Sequence, residues 1–238
     1  MKRFSLSVLA FLLISISIFA QRPPKLSSNQ IYEKIQKLNF IGTALYIAAH
    51  PDDENTRLIA YLANNEKARM GYLSLTRGDG GQNLIGPEIR ELLGVIRTQE
   101  LLAARRIDGG QQFFTRANDF GYSKHPDETL EIWNKEKVLS DVVWAIRTFK
   151  PDVIINRFNH RTPGTTHGHH TASAMLSVEA FDLVGDKNQF KEQLKFTETW
   201  QPKRLFFNTS SWFYRNQEDF EKATKGKLTA FDVGVYYP

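Results

Sequence analysis

The sequence predicts a doubly wound α/β sandwich on a mainly parallel sheet. Three observations predict it. Short apolar runs of strand length alternate with longer amphipathic stretches along the chain, the pattern of successive strand–helix–strand units. The 238 residues, 41% hydrophobic and 24% charged, suit one globular α/β domain with its own core. Two of the apolar runs lead into unusual polar clusters, residues 50–54 after the first and 156–170 after the run at 152–156, as expected where ligands bind beyond the carboxyl ends of parallel strands.

The elements follow in order. Residues 21–40 read as a polar linker into a short helix, with Ile31, Ile35 and Leu38 at helical spacing. Thr43 to Ala49 is apolar almost without interruption, which suits a strand covered on both faces. His50-Pro51-Asp52-Asp53-Glu54 comes next, and Thr56 to Asn64 is expected to be helical with Leu58, Ile59 and Leu62 on one side. Met70 to Leu75 is the second strand, followed by the glycine-rich Gly78-Asp79-Gly80-Gly81. A long helix is expected over about 87–107, with Pro87 in its first turn and Gly109-Gly110 past its end. Gln111 to Phe114 suits a third strand, and Leu130 to Phe149 reads as one helix stopped by Lys150-Pro151. Asp152 to Asn156 is a strand, the His-rich loop after it leads into a helix at Thr171 to Phe181, and Lys203 to Asn208 is a further strand.

Composition removes several classes of function. With no cysteine, disulfides, zinc fingers, iron–sulfur clusters and thiol nucleophiles are excluded, so any metal is held by His, Asp or Glu. Met1-Lys2-Arg3, the uncharged stretch Phe4 to Phe19 and the small Ala20 read together as a secretory signal peptide over residues 1–20. The run is slightly short for a membrane span, and Arg22-Pro23-Pro24-Lys25 ends it. No stable span is expected after cleavage, and the protein is expected to be exported, periplasmic or extracellular in a bacterium. Loss of Lys2 and Arg3 lowers the formal net charge from +5 to +3. The densest basic stretch, Arg97 to Arg106, also carries Glu100 and reads as a solvated helix face, so no nucleic-acid partner is expected.

Two clusters carry the chemistry. In the first, Pro51 presses His50 toward an extended backbone, and Asp52, Asp53 and Glu54 crowd the start of the following helix. One carboxylate there is explained by capping, whereas an imidazole and three acids exceed what capping requires. In the second, His167-Gly168-His169-His170, the histidines are dense, since four of the six in the chain lie between His160 and His170. Zinc takes three or four N/O ligands in a tetrahedral arrangement. His50 and Asp53 supply two, a histidine of the second cluster the third, and water the open position of a catalytic site. Asp52 is then left beside the metal, placed to take a proton from water whose pKa the metal lowers toward about 7. A further histidine would donate to the developing oxyanion. The residues point to metal-assisted hydrolysis of an amide or ester, and iron or another divalent ion suits the same ligands.

At Ala49-His50-Pro51-Asp52-Asp53-Glu54 the sequence resembles the PIG-L / LmbE-like family of zinc-dependent N-acetyl-sugar deacetylases. Thr76-Arg77-Gly78-Asp79-Gly80-Gly81, Arg97-Thr98-Gln99-Glu100-Leu101 and His167-Gly168-His169-His170 fall in the family's order, and the resemblance runs from about residue 40 to 182. It implies a Rossmann-like three-layer sandwich over residues 41–238, with one catalytic zinc on His50, Asp53 and His170. It implies Asp52 as general base, and His167 as the group that stabilises the tetrahedral intermediate and protonates the leaving amine. Arg97 matches a substrate contact, and Asp119 resembles another substrate-side acid. The chain departs from the family in carrying His169 where an Asp is common. That Asp would orient and charge the preceding histidine, so an acid from elsewhere is expected to serve His167. The chain also stops at Tyr236-Tyr237-Pro238, without the closing basic helix the resemblance leads one to expect, so the expectation is either a fragment of a longer protein or a domain ended by its last strand.

The leading expectation is therefore an exported zinc hydrolase that removes an acetyl group from a small amino-sugar or glycoconjugate. The alternatives are a metal amidase on a non-sugar acyl amide and a non-catalytic carbohydrate-binding relative. His125 and His160 read as loop histidines, with His160 near enough to His167 to line a pocket. Trp133, Trp144 and Trp200 read as core or shell, and Trp212 with Tyr214 as the pair to test for sugar stacking.

Overall fold

The structure, a computed structural model, describes residues 25–209, 214–224 and 233–235. Two compact units divide at Asn39 and Phe40. In the first, helix α1 (Ser28–Lys37) is started by a capping box. The Ser27 Oγ accepts from the Gln30 N–H at 3.3 Å, and Gln30 Oε1 accepts from the Ser27 N–H at 2.8 Å.

The second unit is built on six strands, β1 (Thr43–Ala48), β2 (Arg69–Ser74), β3 (Gln111–Phe114), β4 (Val153–Asn156), β5 (Arg204–Asn208) and β6 (Val233–Val235). Their order is β3-β2-β1-β4-β5-β6. The first five pair in parallel, and β6 lies antiparallel to β5 at the edge. The expected doubly wound, mainly parallel sheet is thus the architecture observed. Among the described residues, no helix is long and apolar enough to cross a membrane.

The nearly continuous apolar run of β1 is explained by its central place in the sheet. Leu45 and Ile47 face one core, with Leu73, Ile154, Val142, Ile146 and Leu176. Ala44, Tyr46 and Ala48 face the other, with Met70, Tyr72, Ile155, Leu58 and Ile59. Alternate side chains thus point into two separate cores, and each fully buried Leu or Ile contributes about 1.5–3 kcal/mol. Helices α4 (Pro126–Trp133), α5 (Lys135–Phe149) and α6 (Gly168–Leu183) cover the first face. Helices α2 (Thr56–Ala60) and α3 (Glu91–Asp108) cover the second.

Four helices differ from the sequence expectation. The helix expected at about 87–107 begins at Glu91, because Arg90 adopts φ +54°, so Pro87 lies outside its first turn. The single helix expected at 130–149 is two, broken at Asn134. That residue takes φ +58°, where Asn is among the better tolerated residues, and its side chain accepts from the Lys137 N–H. The helix expected at 56–64 widens after Ala60 into a π-turn, Tyr61–Asn65. The helix expected from Thr171 starts at Gly168, and so includes His169 and His170. A 3₁₀ turn (Lys191–Lys195), helix α7 (Gln217–Thr224) and strand β6 were not anticipated.

Candidate active site

Strands β1 and β4 are neighbours, so the segments leaving their carboxyl ends emerge side by side. That brings residues 50–54 against the start of α6. The loop at His50 is held from below. The Tyr72 hydroxyl donates to the His50 carbonyl, and the Thr76 hydroxyl donates to the Ala49 carbonyl at 2.9 Å.

The helix cap is Asn55, whose Oδ1 accepts from the Leu58 N–H at 3.1 Å. Neither Asp52 nor Asp53 is spent on capping. Asp53 turns inward: its Oδ2 accepts from the His50 N–H at 2.7 Å and lies 3.3 Å from His50 Nδ1, while its Oδ1 lies 3.5 Å from His170 Nε2. The His170 ring stacks flat on Phe158, with centroids 3.9 Å apart. His50, Asp53 and His170 each offer a ligand atom within 4.8 Å of the others. Two ligands of a tetrahedral zinc, each at about 2.0–2.2 Å, stand roughly 3.3–3.6 Å apart. The spacing and the donor types fit a divalent cation.

Asp52 turns outward. Its side chain is 69% exposed and its Oδ2 accepts from Arg97 Nη2 at 2.8 Å. Its backbone sits at φ +143°, a strained conformation for a residue with a Cβ. Arg97 spans the strained residue, because the same Nη2 also donates to the Pro51 carbonyl. Arg97 is therefore a clamp on Asp52 as well as a wall of the adjacent cavity. Glu54 leaves the cluster and pairs with the buried Arg105 at 3.1 Å.

The remaining candidates converge on a cavity of about 420 Å³ lined by His50, Asp52, Arg97, Asp119, Tyr122 and His167 among others. Asp119 is buried and its Oδ1 accepts from the Gly121 N–H at 2.9 Å, so it is a turn residue and a cavity wall at once. His167 caps α6, its Nδ1 accepting from the His169 N–H at 3.1 Å. A second cavity of about 480 Å³ lies beyond Asp53 and His170 and includes Arg157, Phe158 and Asn208. Asp52 borders both. His160 lines neither. His125 caps α4, with its Nδ1 accepting from the Asp127 N–H. Trp133 and Trp200 spend their indole N–H groups on the Asn118 and Pro151 carbonyls, and Trp144 packs on Phe196. Tyr214 packs on Phe220, while Trp212 lies outside the described residues, as does the segment 1–20.

The electrostatics separate the two aspartates. Burial pushes Asp53 up, but the His50 hydrogen bond and the charges of His50 and His170 outweigh it and hold the carboxyl below its usual range. Burial and the neighbouring Asp53 raise Asp52 against the opposing pull of Arg97. Burial pushes His50 down, yet Asp53, Asp119 and Asp52 bring it above its ordinary value. Burial lowers His170 to about 4 and His169 to about 2. His167 is lowered by burial and by His50, against an upward pull from Asp119. Asp119 lines the same cavity as His167, and its upward pull does not outweigh burial.

Three residues of the site were missed from sequence. Tyr72 and Phe158 look like ordinary core aromatics there. Arg105 belongs to the stretch taken for a solvated helix face, and the structure corrects that expectation, since it is 5% exposed and pairs with Glu54 and Asp108. The helical spacing of Arg105 and Asp108 was a signal that could have found the pair.

The chain is similar to several known proteins. A 1D-myo-inositol 2-acetamido-2-deoxy-alpha-D-glucopyranoside deacetylase of Kineococcus radiotolerans is 27% identical over 176 residues, 63% of this chain and 47% of that protein. The chain thus spans about half the length of that curated relative. The fold is similar to N,N'-diacetylchitobiose deacetylase from Pyrococcus horikoshii, with TM-score 0.57 and 15% identity over 82% of this chain and 72% of that one. It is equally similar to GalB, the 4-carboxy-2-hydroxymuconate hydratase of Pseudomonas putida KT2440, with TM-score 0.57 and 14% identity over 83% and 97%. At such identities the likeness is one of fold, and that fold hosts more than one reaction. Residues 45–181, more than half of the chain, match the family model described as PIG-L, GlcNAc-PI de-N-acetylase, and the chain belongs to the PIG-L family.

Proposed function

We propose that the protein is an exported, metal-dependent hydrolase that removes an N-acetyl group from a small amino-sugar conjugate. The observation that carries this reading is the opposite orientation of two adjacent carboxylates. Asp53 faces His50 and His170, while Asp52 borders both cavities and is left to move a proton.

His50, Asp53 and His170 would hold zinc or another divalent cation. When bound, it supplies Lewis acidity, polarising a carbonyl and making water more acidic. Asp52 takes the proton of the attacking water. Its raised pKa makes it a better base than an ordinary Asp, and Arg97 keeps it ionised and aimed. His167 carries its proton on Nε2, since Nδ1 accepts from the His169 N–H. From there it donates a hydrogen bond to the developing oxyanion, while the proton that Asp52 took from water passes to the nitrogen of the leaving amine as the C–N bond breaks. Asp119 lines the same cavity and pulls His167 upward against burial. The relative from Kineococcus and the match to the PIG-L family support an acetylated amino sugar in the Arg97–Asp119 cavity.

The test is a substrate panel on purified protein. Acetate release from an N-acetylglucosamine conjugate is expected, with loss on chelation and recovery with zinc. Equal cleavage of simple acyl amides would favour a non-sugar amidase. Sugar binding with no cation held would favour a non-catalytic relative.

Export is proposed on the basic head and apolar run of residues 1–20. Protein recovered from the periplasm or medium is expected to begin at Gln21, and recovery only of protein that retains Met1 would reject cleavage there.

A further inference from the structure

His169 is completely buried at the first turn of α6, yet its two ring nitrogens are treated very differently. Nδ1 lies 2.9 Å from Nε2 of His50. Nε2 has no hydrogen-bond partner among the described residues. The ring is boxed by Phe120 and Trp133, with centroids 4.4 Å and 4.8 Å away. Asp119 Oδ1 is 3.8 Å from Nδ1, beyond hydrogen-bond range, and accepts from the Gly121 N–H instead. The His167 ring also lies 4.4 Å away, centroid to centroid, but among the described residues the one hydrogen-bond contact of the His169 ring is the one to His50. The contact reaches a residue that the proposed function uses as a cation ligand.

His50 is thus held at both ends, Nδ1 toward Asp53 at 3.3 Å and Nε2 toward His169 at 2.9 Å. A ring that gives the Nδ1 lone pair to a cation keeps its proton on Nε2. His169 must then accept that proton's hydrogen bond on Nδ1 and carry its own proton on Nε2, among Phe120 and Trp133. Resting on the ligand set proposed above, we propose that His169 is the positioning residue for His50, a neutral imidazole doing what a carboxylate or carbonyl commonly does behind a metal-bound histidine. It acts on His50, whereas the sequence had suggested that this position serves His167. A neutral partner withdraws the His50 proton less than a carboxylate does, so the cation is held less tightly and exchanges more readily than behind a charged partner.

The test is cation affinity, measured without turnover. Metal-free full-length protein is titrated with Zn²⁺ and with Co²⁺ against a competing chelator. His169→Leu keeps the apolar box filled and removes the acceptor, and is expected to weaken binding about 10–100-fold and to alter the Co²⁺ absorption spectrum. His169→Asn places an acceptor where Nδ1 stands, and is expected to restore affinity and spectrum toward wild type. Equal affinity of wild type and His169→Leu would overturn the proposal, as would His169→Asn being as weak as His169→Leu. Should the leucine variant not fold, imidazole ¹⁵N shifts of cation-loaded wild type decide. A proton on His169 Nε2 supports the proposal, and one on Nδ1 overturns it. A wild type that binds neither cation fails at the ligand set itself, an outcome distinct from a wild type that binds and ignores residue 169.

Discussion

Asp52→Asn is expected to reduce turnover by about 10²–10⁴-fold, the usual contribution of a positioned general base, while leaving cation affinity unchanged. The amide has the shape of the carboxylate and no capacity to take a proton at neutral pH. The backbone argues for Asn over Ala as the test. Residue 52 sits at φ +143°, and Asn, matching Asp in shape, carries that backbone strain as Asp does. Arg97 can still donate to the amide oxygen, so the clamp across Pro51 and residue 52 stays closed. Cation affinity should survive because the inward contacts at His50 Nδ1 and His170 Nε2 are made by Asp53. The expected signature is a fall in kcat with little change in KM. The paired substitution Asp53→Asn should reverse the pattern, with cation affinity lost first. Activity of Asp52→Asn within a few-fold of wild type would remove Asp52 from the chemistry. Equal loss of the cation in both variants would mean that the two carboxylates share one role.

Much of this division was legible in the sequence because it is local. The apolar run of β1 ends where His50 begins, and the period of the chain changes there. The second cluster follows β4, whose apolar residues mark it as another strand of the same sheet. Adjacent parallel strands deliver their carboxyl-end segments to one place, so the meeting of His50, Asp53 and His170 follows from topology. What could not be read is set by contacts between distant residues. Whether Asp52 or Asp53 caps the helix depends on Asn55, a residue that reads in sequence as an ordinary polar position. Asp119 reads as a turn residue, and its approach to the histidines depends on the path of the whole 115–125 segment. Arg105 reads as surface because its helix partners Arg97 and Arg106 are charged, and its burial depends on Glu54, 51 positions earlier in the chain. Position 169 shows the same limit. The sequence identified the missing Asp but assigned its service to the neighbouring His167, whereas the ring reaches across to His50, just past the end of β1.

Arg105→Met is expected to cost about 3–5 kcal/mol of stability, the range for breaking a buried ion pair from one side. For a domain of this size that is a fall in Tm on the order of 10 °C. In the wild type the Arg105 guanidinium lies between two buried carboxylates. It contacts Glu54 at 3.1 Å and Asp108 Oδ2 through Nε at 2.9 Å, and donates to Gln112 at 3.2 Å over the face of Tyr72. Methionine fills the stem but leaves both acids without their cation. Their repulsion then acts on Glu54, next to Asp53 in the chain, so weaker cation binding should accompany the lost stability. The dependence on pH has a definite sign. Burial raises Glu54 above its ordinary value against the pull of Arg105. A raised carboxyl contributes stability that is complete below its unfolded pKa and is lost as pH rises through the folded one. Removing Arg105 raises Glu54 further, so the deficit of the variant should be larger at neutral pH than in mild acid. Glu54→Gln should cost less than Arg105→Met, because it deletes a poorly solvated charge and leaves Arg105 with Asp108. Denaturant midpoints for the two variants at both pH values measure this directly. A deficit independent of pH, or a larger loss in Glu54→Gln, would place the stabilisation in the packing of the arginine stem against Tyr72 instead of in its charge.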